Sequence, residues 1–185
     1  MPFARKSSKP RPFLNEAGLY DYAIKALGRR MRSEAELRRL MKARAVPDAS
    51  GEAAIASVLA RLKEHGYLND AAFAETYARL RQENEKQGQR RVRNDLQQKG
   101  VNSNLITETL DARYGQIDEE VLARQHLERK RIRKPENPKE TARVMRRLMT
   151  AGFSTGTVYK ILRQWNVPDE ALAALDNLDE DGHDD

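Results

Sequence analysis

The sequence contains no cysteine. Neither a disulfide framework nor a thiolate metal site is open to it, and a reducing cytosol suits such a chain. Histidine is nearly as scarce: His65, His126 and His183 stand at no ligand-like spacing, so no metal is expected. His65, just before Gly66, reads as a last-turn helix residue. Long apolar runs are missing too. No stretch approaches the roughly 20 apolar residues that cross a bilayer, and Met1-Pro2-Phe3-Ala4-Arg5-Lys6 lacks the apolar core of a secretory signal. The expectation is a soluble cytoplasmic protein with no membrane contact.

Aromatic residues are few. Tyr67, Phe73, Tyr77, Phe153, Tyr159 and Trp165 mostly fall at apolar positions of the helical pattern, which assigns them to core packing rather than to base stacking. Tyr20 and Tyr22, two apart on a helix, are not expected to face one core together, so one of them is expected to be exposed. Enzyme signatures are thin. Gly152-Phe153-Ser154-Thr155-Gly156-Thr157 lacks the lysine and the preceding strand of a phosphate loop and reads as a turn opening a helix. Asp118, Glu119 and Glu120 fit a first helical turn, where the dipole favours acids. No catalytic residue, cofactor or small-molecule substrate is expected.

What the chain has is charge, unevenly placed. Its 34 basic residues face only 20 of the 28 acidic ones before Asp169, a balance of +14 against +6 for the whole chain. Residues 1–15 read as a disordered basic arm and residues 169–185 as a disordered acidic tail. A body this basic concentrates polyanions around itself, although solubility alone would also account for it.

Between the ends, helical periodicity dominates and no alternating strand pattern stands out. A landmark recurs about every 50 residues: two apolar residues four apart on a basic helix, then a stop and a hydrophobe. It reads Leu37…Met41…Ala45-Val46, Val92…Leu96…Gly100-Val101 and Val144…Leu148…Gly152-Phe153. Spacing of four puts both apolar side chains on one face, and Gly100 and Gly152 can end a helix in the left-handed conformation. A second helix follows each landmark, with stripes Ile55/Val58/Leu59/Leu62, Ile106/Thr109/Leu110 and Val158/Ile161/Leu162/Trp165. Ser103 and Ser154 are the expected N-caps of the latter two, and Ser33-Glu34-Ala35-Glu36 reads as a capping box. A leading helix precedes each landmark, carrying Tyr20, Ala23, Ile24 and Leu27; then Phe73, Ala74, Tyr77 and Leu80; then Ile117, Val121 and Leu122.

The fold class is therefore all-α: three tandem three-helix repeats over 16–68, 69–115 and 116–168. Such small modules need neighbours to bury enough surface. Stacked in line they give an elongated, curved, right-angled or arc-like body; a single nine-helix globule is the alternative. A monomer suits an open repeat.

The basic clusters are the candidate contacts for an anionic partner. Arg38, Arg39, Lys42 and Arg44 lie on or beside the middle helix of module one, and Arg90, Arg91, Arg93 and Lys99 on that of module two. Arg143, Arg146 and Arg147 lie on that of module three, the last two taken as contacts. Neighbours three and four apart, such as Arg39 with Lys42 and Arg90 with Arg93, project together. Arg129, Lys130, Arg131 and Arg133 belong to the densest basic run; Pro135 is expected to end its helix. A helix C-terminus also favours cations, so a structural role for that run stands beside nucleic-acid contact.

In Glu64-His65-Gly66-Tyr67-Leu68-Asn69-Asp70 followed by Phe73, in Glu36-Leu37-Arg38-Arg39-Leu40 and in Arg90-Arg91-Val92-Arg93-Asn94-Asp95-Leu96-Gln97-Gln98-Lys99-Gly100-Val101, the chain resembles the RecX family. The likeness runs in order from about Leu19 to Trp165. It departs from the family pattern at Arg44-Ala45, where a basic-Gly pair is usual, and at Ala151-Gly152, where the basic residue is missing. The resemblance implies three tandem three-helix repeats, no catalysis, and the RecA recombinase as partner. Members of the family bind the groove of the RecA–DNA filament and hamper strand exchange, ATP hydrolysis and repressor co-cleavage, or promote filament loss, which places the chain in DNA repair and the SOS response. A helical DNA-binding protein acting without RecA is the alternative.

Overall fold

A computed structural model describes residues 12–168. The acidic tail and most of the basic arm lie outside the described residues. Residues 12–15 are not a free arm: the Leu14 amide donates to the Arg44 carbonyl at 2.8 Å, and Leu14 packs on the core.

The described residues form nine α-helices and no strand: α1 (Glu16–Leu27), α2 (Glu34–Lys42), α3 (Ala49–Glu64), α4 (Asp70–Glu83), α5 (Gln89–Gln98), α6 (Ser103–Tyr114), α7 (Glu119–Arg129), α8 (Pro138–Thr150) and α9 (Thr155–Gln164). Local chemistry explains their starts. Asn15, Asp48, Asp118, Asn137 and Ser154 accept hydrogen bonds from first-turn amides, satisfying donors that have no intrahelical partner. Ser33 and Glu36 close the expected capping box ahead of α2. Asn102, not Ser103, caps α6, because its carboxamide reaches the Asn104 amide.

The helices fall into two compact units. The first comprises residues up to Phe73 with Lys99–Val101. Its helices α1, α2 and α3 pack on one another around Leu19, Leu37, Met41, Ile55, Val58 and Leu62. Buried Ser33 donates to the Lys99 carbonyl at 2.5 Å, and the Lys99 ammonium lies 3.2 Å from Glu36. The Glu34 amide donates to Asp70 at 2.8 Å; burial still pushes the Asp70 carboxyl above its usual range.

The second unit holds residues 74–98 and 102–168. Here α5 packs on α6, and α9 on both α7 and α8. Leu96, Ile106, Leu110, Leu148, Ile161 and Leu162 are fully buried.

Several expected positions differ. Ala45 is buried while Val46 is exposed, so in the first landmark the inward residue comes one place early. The glycine stop of the other copies is absent there, and the Ala45 amide stays bonded to Met41. Leu80 and Val121 face outward; Ala78 and Ala123 take inward positions instead. Tyr67 is 58 % exposed and stacks on His65, leaving the core position to its neighbour Leu68. Finally, α7 stops at Arg129, well before Pro135. The Arg131 amide donates to Glu128 and the Ile132 amide to Leu127, the paired bonds of a Schellman stop.

Candidate functional site

The second unit contains a cleft of about 640 Å³ with five cations in its lining: Arg91, Lys130, Arg143, Arg146 and Arg147. Gln87, Thr150, His126, Ile132 and Ala151 complete it, and no carboxylate of the described residues lines it.

Three elements supply the charges. Helix α8 buries Thr141, Val144, Met145 and Leu148, which leaves Arg143, Arg146 and Arg147 on the outer face, three and four residues apart and hence neighbours. Lys130 caps the end of α7. Arg91 comes from the start of α5, which a pair of glycines brings against the end of α8. The Gly88 amide donates to the Ala151 carbonyl at 2.9 Å and the Arg90 amide to Gly152 at 3.3 Å. A Cβ on Gly88 would stand 2.3 Å from the Gly152 carbonyl oxygen, and one on Gly152 would stand 2.3 Å from the Arg91 amide nitrogen. Gly152 also takes φ +94, a conformation side chains resist.

His126 anchors the wall. Its Nδ1 lies 3.2 and 3.1 Å from the carbonyls of Glu85 and Lys86. Both are acceptors, so Nδ1 carries the proton. Burial, with Lys130 and Arg129 nearby, holds the imidazole below its usual pKa, against the pull of those two carbonyls. The ring therefore stays neutral at pH 7 and packs edge-on against buried Phe153.

Arg91 is tied to Asp95 at 3.1 Å. The other four cations of the cleft have no ion-pair partner among the described residues, and neither do Arg129, Arg131 and Arg133. The remaining candidates are engaged. Arg38 lies 4.0 Å from Glu34 and 3.8 Å from Glu52, and Lys42 lies 2.8 Å from Glu52. Arg44 donates to the Pro12 carbonyl and lies over the Tyr22 ring. Arg93 donates to Thr107 at 3.2 Å, Lys99 pairs with Glu36, and exposed Arg39 has contacts of its own. Arg90 points into a smaller cleft with Glu119. Burial would raise that carboxyl, but hydrogen bonds from Ser154 and Thr157, with Arg90 adding, bring it below its usual range.

The structure thus brings Arg91, Lys130, Arg146 and Arg147 together in one cleft. Sequence reasoning did not take Arg143 as a contact, nor His126, Gln87 and Ile132 as wall. The spacing Arg143–Arg146–Arg147 carried a signal for the first; the others depend on the Gly88–Gly152 contact.

The chain matches two family models, "RecX, first three-helix domain" over residues 20–62 and "RecX, second three-helix domain" over residues 69–110. It is 34 % identical over 142 residues to the regulatory protein RecX of Leptothrix cholodnii, covering 76 % of this chain and 85 % of that one. The RecX of Oceanobacillus iheyensis is 27 % identical over 82 % of this chain, which spans 54 % of that longer relative. The crystal structure of RecX from Lactobacillus salivarius superposes with a TM-score of 0.60 at 21 % identity, covering 82 % of this chain and 96 % of that one; likeness at that identity speaks for the fold alone.

Proposed function

The chain belongs to the RecX family of regulatory proteins, and from that premise we propose that it regulates the RecA recombinase by binding the RecA–DNA filament. The observation that carries the reading is the concentration of cations without acidic partners among the described residues on the loop after α7 and on α8. Such a surface is costly to keep, because like charges on one helical turn repel by a few tenths of a kcal/mol per pair. An anionic partner relieves that cost. The filament offers two: DNA phosphate and acidic protein surface.

In this reading the modules are 16–68, 69–115 and 116–168, each contributing a weak contact. Weak contacts along one chain sum by effective concentration. Binding that favours one filament geometry shifts RecA toward it, and strand exchange, ATP hydrolysis and co-protease activity fall as a result. The protein acts as a cytoplasmic monomer without chemistry of its own. Among the described residues no helix is long and apolar enough to cross a membrane.

The test is RecA ATP hydrolysis and strand exchange at stoichiometric protein. Wild type should depress both, and R146E/R147E should restore them toward the uninhibited rate. No effect of the wild-type chain would overturn the reading. If the chain binds bare DNA with a steep salt dependence and leaves RecA rates untouched, DNA binding independent of RecA takes its place.

A further inference from the structure

We propose that the cationic cleft of the second unit is a binding site for a nucleoside triphosphate, its phosphates held by the α8 arginines and Lys130 and its base against the apolar lining at Ile132 and Ala151. Four observations carry this. The cleft, at about 640 Å³, lies in the size range of small-ligand sites. Its charges converge from three elements onto one concave space and meet no carboxylate of the described residues in the lining. Four of the five lack an acidic partner among the described residues. The lining is also not uniformly polar, since Ile132 and Ala151 lie beside the arginines.

Charge density separates this ligand from a nucleic-acid strand. A strand bears one charge per phosphodiester and would place few of them in a single cleft. A triphosphate carries several charges on adjacent phosphorus atoms, matching cations gathered at Arg143, Arg146 and Arg147. Guanidinium forks meet paired phosphate oxygens at two points each. The ligand binds without reaction. The proposal does not rest on the filament reading, which is measured on RecA; this one is measured on the protein alone.

The experiment is calorimetric titration of the full chain with ATP, inorganic tripolyphosphate, orthophosphate and a short oligothymidylate, without magnesium. One site is expected, with ATP binding at least tenfold tighter than orthophosphate and several-fold tighter than tripolyphosphate. R143Q/R147Q should weaken ATP at least tenfold, and so should T150E, which sets a carboxylate into the lining. R38Q/K42Q in the first unit should leave ATP affinity unchanged. All these side chains are at least partly exposed, and unchanged helical circular dichroism will show that the variants are folded. No binding of ATP up to millimolar concentration overturns the proposal. So does equal affinity for ATP and orthophosphate or tripolyphosphate, insensitivity to R143Q/R147Q, or oligothymidylate binding where ATP fails.

Discussion

Arg131 holds φ +52 at the position after the α7 cap, where Gly66, Gly100 and Gly152 end other helices with positive φ. A non-glycine residue there costs about 1 kcal/mol. Placed between Lys130 and Ile132 of the cleft lining, a cation is retained where glycine would be easier. R131G should therefore raise stability by about 0.5–1 kcal/mol in urea unfolding, reduced by the added freedom of the unfolded chain, while weakening polyanion binding. A variant that loses both, or neither, would refute the trade. His126 gives a second prediction. Its folded pKa lies below its usual value through burial, so the unfolded chain takes up a proton before the native one does. The contribution of neutral His126 is then complete above about pH 6.5 and is lost as pH falls below it. H126N keeps a donor for the Glu85 and Lys86 carbonyls but does not titrate. The thermal midpoint of the wild type should fall more steeply from pH 7.5 to 5 than that of H126N; parallel curves would assign the acid sensitivity elsewhere.

The start of α5 and the turn after α8 meet through backbone hydrogen bonds at Gly88 and Gly152, and this contact brings Arg91 to the cleft. G88A puts a Cβ 2.3 Å from the Gly152 carbonyl oxygen. Relief requires the two elements to separate, at a cost of about 1–3 kcal/mol, and Arg91 then moves away from the α8 arginines. Denaturant unfolding should show that loss, with polyanion affinity falling alongside; unchanged stability would mean the contact is loose. This contact also explains what the sequence could reveal. The stripes of α3, α6, α8 and α9 were legible because 3.6-residue periodicity is a local property, as were the Ser33–Glu36 box and the Ser154 cap. The end of α7 was not legible, because Arg131 occupies a conformation that marks glycine in sequence. Ala45 and Val46 were misplaced for the same reason in reverse: without a glycine, the stop gives no mark. The cleft was only half legible. Its arginines could be read from α8, but their isolation from the carboxylates of the described residues could not. Glu34 and Glu52 neutralise Arg38 and Lys42, and Glu52 does so from a separate helix.

At the scale of the whole molecule the governing quantity is charge. Residues 1–168 carry +14, and the eight acids from Asp169 onward bring the chain to +6. Acids joined to a cationic body compete with an outside polyanion at the effective concentration set by the tether, and they lower the potential that draws the polyanion in. Both effects are electrostatic, so both are governed by the Debye length, about 30 Å at 0.01 M salt and about 3 Å at 1 M. Removing residues 169–185 should therefore tighten oligonucleotide binding several-fold near 0.01–0.02 M salt, with the curves of the two chains converging as salt rises. Anisotropy titrations of full-length and shortened protein across that range measure it. Equal affinity at low salt would show that the acids do not reach the cationic surface. A constant difference at all salt concentrations would mean that the deletion altered the fold rather than the field.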